Sequence, residues 1–226
     1  AVAAHAHRRA ATPLVVIVPP AIALGGAVAV AAVAWRGGAL TATGAVAATA
    51  VGTAAALAGM GWAALLIGFF VVSTLLSRLG AARKADRTAS VIEKHGGRDA
   101  RQVLANGGVF AVGAVCFAVT ADALWTALAL GALVGAFADT AATEIGTLFG
   151  GTPRSIVDGR PVATGMSGGV TATGSIAAVA AAGLLALCAT ALITDLRVAS
   201  AAFVGGLIGV AADSVLGAVV QVRRWC

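Results

Sequence analysis

Seven apolar stretches, at about 13–35, 40–58, 61–79, 104–121, 123–144, 168–191 and 199–221, take up most of this 226-residue chain. Each is close to the ~20 residues that a helix needs to cross the hydrocarbon core of a bilayer. The sequence therefore predicts an all-α, polytopic integral membrane bundle of about seven transmembrane helices. Composition agrees: 60% of residues are hydrophobic and 11% are charged, whereas soluble domains carry about 25% charged residues. Ala, Val, Leu and Gly dominate, which suits membrane helices that associate by close backbone approach. Residues 1–12 read as a polar N-terminal tail and 13–226 as a single transmembrane domain. Arg8 and Arg9 precede an apolar run longer than a signal-peptide core, so the first run reads as a span. The Pro19-Pro20 pair inside it predicts a kink.

Basic residues set the expected orientation. Segment 78–101 holds Arg78, Arg83, Lys84, Arg87, Lys94, Arg98 and Arg101; segment 146–163 holds Arg154 and Arg160; the tail holds Arg223 and Arg224. With seven spans these share one side with Arg36, leaving Arg8, Arg9 and Arg197 opposite. The basic side is expected to face the cytoplasm, with loops at 80–103 and 145–167. The net charge of +6 then reflects this bias and a loop facing anionic lipid or substrate, with no call for nucleic acid. Arg83, Lys84 and Arg87 read as topology determinants or lipid contacts. Cys116, Cys188 and Cys226 are scattered, as are His5, His7 and His95, and show no metal-ligand spacing.

The chain repeats itself. Gly131-Ala-Leu-Val-Gly135-Ala-Phe-Ala-Asp139-Thr140 aligns with Gly205-Gly-Leu-Ile-Gly209-Val-Ala-Ala-Asp213-Ser214, and Leu65-Leu-Ile-Gly68-Phe-Phe-Val-Val72-Ser73 is a third copy lacking the aspartate. The preceding helices also match: Asn106-Gly-Gly-Val with Ser167-Gly-Gly-Val, and Thr171-Ala-Thr-Gly174 with Thr41-Ala-Thr-Gly44. One leading helix followed by three like-oriented hairpins, roughly 40–79, 104–144 and 168–221, is the expected plan. Gly131, Gly135 and Asp139 share a helix face, as do Gly205, Gly209, Asp213 and Gly217. Each aspartate is thus expected to continue a closely packed small-residue stripe, and the two carboxylates are expected at similar depth.

Carboxylates within spans are costly and face the bundle interior or a wet cavity. Asp139 and Asp213 are the candidate catalytic and metal-binding pair, because two such groups can hold Mg²⁺ together with water and phosphate oxygens. The structural alternative is an aspartate satisfied by hydroxyl or backbone groups. Glu144, five residues past Asp139, joins them as a candidate ligand if the helix unwinds near Gly146. Asn106 and Ser167-Gly168-Gly169, ahead of Thr171, are expected to open helices where free N–H groups attract phosphate. Thr140 and Ser214 neighbour the two aspartates. Arg98, Arg101, Arg154 and Arg160 suit bidentate phosphate binding, with positive-inside anchoring as the alternative.

Several ordered motifs resemble the DUF92 integral membrane family. They are Ala138-Asp-Thr-Ala-Ala-Thr-Glu-Ile-Gly146, Pro153-Arg154, Gly165-Met-Ser-Gly-Gly-Val-Thr171 and Ala212-Asp-Ser-Val-Leu-Gly-Ala-Val-Val-Gln221, with Arg101-Gln-Val-Leu-Ala-Asn-Gly-Gly108. That family includes phytyl-phosphate kinases, which move a phosphoryl group from a nucleoside triphosphate, commonly CTP, to an isoprenoid monophosphate. The resemblance implies that Asp139, Glu144 and Asp213 hold Mg²⁺–nucleotide and that Asn106, Ser167, Gly168 and Gly169 line the phosphates. The chain departs from the family pattern at Asp158-Gly159-Arg160, where Thr-Gly-Lys is usual, and at Met166-Ser167.

The leading expectation is a membrane kinase that converts a prenyl monophosphate to the diphosphate, using CTP and Mg²⁺ at the cytoplasmic face. A transporter or lipid translocase with Asp139 and Asp213 as ion sites is the first alternative. A membrane nucleotidyltransferase is the second.

Overall fold

The structure is a computed structural model that describes residues 18–89 and 96–220. Its helices are α1 Pro20–Arg36, α2 Ala42–Ala58, α3 Met60–Arg78, α4 Ala81–Thr88, α5 Ala100–Thr120, α6 Ala123–Phe149, α7 Ala172–Leu192 and α8 Leu196–Val220. A two-stranded antiparallel ribbon pairs β1 Arg154–Ser155 with β2 Gly169–Val170. Among the described residues five helices, α3 and α5 to α8, are long and apolar enough to cross a membrane, and α1 and α2 are shorter apolar helices of 17 residues. The apolar helices follow the order expected from the sequence. The polar tail, Lys94, Gln221, Arg223, Arg224 and Cys226 lie outside the described residues.

The prolines correct one expectation. Pro19 is the N-cap and Pro20 the first helical residue of α1, so the pair starts a helix instead of kinking one. Proline suits that position because its missing N–H would have no intrahelical partner there.

Helix ends with basic residues converge on one end of the bundle. An Arg78 guanidinium nitrogen (Nη2) donates to the Gly37 carbonyl at 2.5 Å, joining the ends of α3 and α1. The Thr41 N–H donates to the Arg98 carbonyl at 3.0 Å, joining the starts of α2 and α5. At the opposite end the single residue Gly59 turns α2 into α3, and Trp62 stacks on Phe117 with ring centroids 5.0 Å apart. Aromatic pairs of this kind add about 0.5–1.5 kcal/mol beyond their burial. The central helix is α6, which packs on α3, α5, α7 and α8. A Cβ at Gly113 would stand 3.0 Å from the Trp125 carbonyl oxygen, so glycine allows the close α5–α6 crossing.

The repeated Thr-Ala-Thr-Gly runs adopt the same local structure. Thr41 caps α2 by accepting the Gly44 N–H at 3.1 Å, and Thr171 caps α7 by accepting the Gly174 N–H at 3.0 Å. Each glycine lies against a carbonyl of another segment, Arg98 for Gly44 and Ala142 for Gly174. The repeat thus encodes a capped helix start at a tight backbone crossing.

Segment 80–103, expected as a loop, contains α4. Gly80 takes a left-handed φ of 59°, which turns the chain back beneath α3 and α6. There α4 lays Lys84 and Thr88, four residues apart, against the bundle. Ser73, from the third repeat copy, is buried in α3, and its hydroxyl oxygen has no hydrogen-bond partner among the described residues. Ser73→Ala is expected to raise stability by about 1 kcal/mol, since it removes an unsatisfied buried hydroxyl. Equilibrium unfolding in mixed detergent micelles checks this.

Candidate functional site

Caps, turns and ion pairs occupy most of the described acidic residues. Asp99 caps α5 by accepting the Gln102 N–H at 3.1 Å, Asp122 accepts the Leu124 N–H at 2.9 Å, and Asp195 accepts those of Arg197 and Val198 at 2.9 and 3.0 Å. Asp158 accepts the Arg160 N–H at 3.2 Å in an exposed turn. That backbone bond, followed by the Ser155 hydroxyl, holds its carboxyl below the usual carboxylate range. Glu144 is ion-paired with Lys84, and Asp86 lies on the exposed face of α4. Asp139 and Asp213 remain. Both are exposed positions in spanning helices. They lie close enough to interact electrostatically, and neither has a hydrogen bond or ion pair among the described residues. Within a bilayer such groups need a partner.

The crossing of α6 and α8 brings them together. A Cβ at Gly131 would meet Ala202, and one at Gly135 would meet the Gly206 carbonyl oxygen at 3.4 Å. The two helices therefore run parallel, in the register Gly131 to Ala202 and Gly135 to Gly206. This corrects the expected stripe on α8, because Gly205 and Gly209 meet nothing within 4 Å. Buried Ala199, Ala202 and Gly206 make the contact instead. The depths change with the register. Asp139 lies four residues past Gly135 and Asp213 seven past Gly206, so Asp213 sits about 4.5 Å nearer the basic end.

The turn before α7 completes this end of the groove. Gly168 has φ +76°, and a Cβ there would stand 2.4 Å from that of Ala218, while one at Gly217 would stand 2.1 Å from the Ser167 hydroxyl. Ser167 and Gly168 thus rest on α8 one turn beyond Asp213. The turn is held by the β1–β2 ribbon, with the Ile156 N–H donating to the Gly168 carbonyl at 2.9 Å. Gly168→Ala is expected to cost about 2–3 kcal/mol, through both the left-handed φ and the clash with α8. A melting curve of the purified variant measures it.

Other expected site residues are placed elsewhere. Glu144 does not join the aspartates: α6 continues unbroken through buried Gly146 to Phe149, so the side chain points to α3 and α4. Its Oε1 accepts the Ser77 hydroxyl at 2.6 Å and its Oε2 pairs with Lys84 Nζ. Lys84 Nζ also donates to the Leu76 and Ser77 carbonyls at 2.8 and 2.9 Å. Arg87 donates to the Thr147 and Leu148 carbonyls at 2.7 and 3.1 Å. Lys84 and Arg87 are therefore C-terminal caps of α3 and α6, not lipid contacts. Among the described residues no group of three or more His, Cys, Asp or Glu side chains could hold a metal. The three-carboxylate site reduces to the Asp139–Asp213 pair.

Asn106 does not open a helix. A capping box of Asp99 and Gln102 starts α5 at Ala100, so the N–H groups of residues 106–108 are spent inside the helix. Thr171 is an N-cap, and the Thr140 hydroxyl donates to the Ala136 carbonyl at 2.8 Å. Arg154 bonds the Gly159 carbonyl at 3.0 Å, Arg160 stands 3.7 Å from Asp158, and both are exposed, as is Arg101. Gly169 pairs in β2, and Ser214 is half-buried beside Asp213.

Arg98 does more than its place in a run of basic residues suggests. Its guanidinium donates to the Thr74 hydroxyl at 3.0 Å and the Ser77 hydroxyl at 3.4 Å, and lies 5.6 Å from the Phe70 ring centroid. Burial lowers its pKa from the ordinary value, while the Glu144 charge acts in the opposite sense. Thr74, Ser77, Lys84, Arg98 and Glu144 form one polar cluster at the basic end. The available signal is short-range: Lys84 and Thr88 at helical spacing directly after Gly80.

A bundle of apolar helices with all its described basic residues but Arg197 gathered at one end, and two carboxylates within spans that lack a partner among the described residues, defines a polytopic α-helical membrane protein. The chain belongs to the DUF92 family of integral membrane proteins, which matches residues 25–226. It is 32% identical over 197 residues to Protein PGR of Arabidopsis thaliana, covering 75% of this chain and 67% of that protein. It is 28% identical over 170 residues to the uncharacterized membrane protein MJ0933 of Methanocaldococcus jannaschii, covering 72% of this chain and 66% of that one. The chain thus spans about two thirds of each relative. No solved structure matches.

Proposed function

We propose that this protein is a membrane phosphotransferase that moves a phosphoryl group from a nucleoside triphosphate, with CTP favoured, to a prenyl monophosphate. The observation that carries the reading is the Asp139–Asp213 pair, the two described carboxylates in spanning helices that no cap or cation satisfies. Two carboxylates close enough to interact electrostatically, beside a glycine turn, fit Mg²⁺, which binds through one or two carboxylates plus water and phosphate oxygens. Asp139 and Asp213 would hold it, and it would supply neutralisation of phosphate charge. Ser167 and Gly168 would approach the donor phosphates from the end of α8. By the positive-inside rule this end faces the cytoplasm, where nucleotides are found.

An oxygen of the acceptor phosphate attacks the terminal phosphorus of the donor. The bond from that phosphorus to its bridging oxygen breaks, leaving a nucleoside diphosphate and a prenyl diphosphate. The attacking oxygen is already ionised, so no side chain needs to remove a proton. This suits a groove whose described ionisable groups are the two carboxylates. The test is purified protein in lipid nanodiscs with Mg²⁺, CTP and geranylgeranyl monophosphate. Product one phosphate heavier supports the reading. Product heavier by CMP would make the protein a nucleotidyltransferase, and no turnover with any nucleoside triphosphate would overturn it.

A further inference from the structure

The hairpin that leads into the Ser167–Gly168 turn presents a face of its own. From Pro153 to Pro161 the chain folds back on itself. The Val162 N–H donates to the Pro153 carbonyl at 3.0 Å, the Ser155 N–H to the Arg160 carbonyl at 2.9 Å and the Gly159 N–H to the Ser155 carbonyl at 2.9 Å. Gly159 takes a left-handed φ of 70°, and the Arg154 guanidinium closes the turn by its bond to the Gly159 carbonyl. Ile156 and Val157 stand at the tip. Turn tips in water favour Gly, Asn, Asp and Ser, yet these two branched apolar residues are 36% and 56% exposed on a backbone held by its own hydrogen bonds.

The position of the hairpin says what faces the tip. The Ile156 N–H is bonded to the Gly168 carbonyl, and a Cβ at Gly168 would touch Ala218, in the last turn of α8. Helix α8 is long and apolar enough to cross a membrane, and Leu216, Val219 and Val220 near its end are exposed. The tip therefore lies at the depth where a span ends, close to surface that faces lipid. At that depth apolar side chains enter the boundary between headgroups and acyl chains. Charge fits as well. Arg154 and Arg160 flank the tip and are both exposed, against one carboxylate, Asp158, so the hairpin is net positive. Guanidinium groups bind phosphate oxygens, and basic residues beside a membrane attract anionic lipid. One exposed apolar side chain would be ordinary; a pair rimmed by arginines at the end of a lipid-facing helix is a membrane-contact patch.

We propose that the 153–161 hairpin is an interfacial anchor, which inserts Ile156 and Val157 into the leaflet at the basic end and sets Arg154 and Arg160 on the phosphates of anionic bilayer lipids. The two arginines then serve the membrane surface and not the groove beside Asp213. Through the Ile156–Gly168 bond the anchor also braces the Ser167–Gly168 turn against α8. The proposal concerns a surface and holds whatever chemistry the two aspartates perform.

The test is a depth measurement on the full chain in nanodiscs of phosphatidylcholine, with and without phosphatidylglycerol. A nitroxide is attached at Val157→Cys in a chain carrying Cys116→Ala, Cys188→Ala and Cys226→Ala. Its collisions with oxygen and with a water-soluble nickel chelate are compared by power-saturation spectroscopy. With phosphatidylglycerol present the label is expected about 5–10 Å below the headgroup surface, reached by oxygen and shielded from the chelate. Ile156→Ser is expected to return it to water. Arg160→Gln is expected to abolish the difference between the two lipid mixtures. If the cysteine-free chain melts early, the wild-type protein is irradiated in nanodiscs that contain phosphatidylglycerol with a diazirine near its ester carbonyls, and adducts are expected on the 153–161 peptide. A label open to the chelate in both mixtures, or a 153–161 peptide free of adducts, would overturn the proposal. Equal depth with and without phosphatidylglycerol would overturn the anionic partner. A label immobilised by Mg²⁺ and CTP and indifferent to lipid would return the hairpin to the groove and overturn the anchor.

Discussion

Under the proposed phosphotransfer, Asp139→Asn is expected to lower Mg²⁺-dependent transfer by roughly a thousandfold, about 4 kcal/mol of transition-state stabilisation. Its melting temperature is expected to stay within a few degrees of wild type. Both expectations follow from the surroundings of the carboxylate. The side chain has no hydrogen bond or ion pair among the described residues, so its charge contributes nothing to packing that asparagine would lose. Removing one of the two carboxylates does halve the negative charge the pair offers a divalent cation. Asp213→Asn is expected to behave alike, and the double variant to be no worse than the worse single one, as for groups that act as a unit. Titration of Mn²⁺ as a spectroscopic stand-in for Mg²⁺ separates binding from turnover. Loss of activity with unchanged ion affinity would remove both residues from the metal site.

Lys84→Met is expected to show the opposite pattern, losing about 3 kcal/mol of stability through an unpaired, largely buried Glu144 and uncapped α3 carbonyls. The Lys84 and Glu144 side chains are 9% and 21% exposed, so solvent screens the pair only weakly. Glu144→Gln keeps the bond to Ser77 and is expected to cost less. Lys84→Met combined with Glu144→Gln is expected to cost less than the two added, a positive coupling that a double-mutant cycle in unfolding assays measures. Folded Glu144→Gln protein is expected to keep wild-type Mn²⁺ affinity. A loss of ion binding there would return Glu144 to the metal site.

Much of the candidate site is legible in the sequence. Asp139 and Asp213 stand out because a carboxylate amid twenty apolar residues is expensive, and that cost depends only on local sequence. Ser167 and Gly168 are legible as a glycine turn between spans. Glu144 is not, because its partner, Lys84, lies 60 positions away on a short helix that the run of basic residues disguises. Asn106 is not, because similarity between repeats does not guarantee the same place in a helix. The capping box at Asp99 starts α5 two turns earlier.

What the sequence determined by itself is the set of spans, their order, the gathering of basic helix ends and the family. These follow from the length of apolar runs and from the need of a backbone in hydrocarbon to close its own hydrogen bonds, both properties of one segment at a time. Only the tertiary structure decided which glycines touch. The repeat aligns Gly135 with Gly209, yet α6 packs on Gly206, three residues earlier. That choice offsets the two carboxylates by about one turn and leaves Gly205 and Gly209 facing outward. Register between membrane helices is set by the fit of side-chain surfaces from distant segments, since lipid is as apolar as the helices themselves.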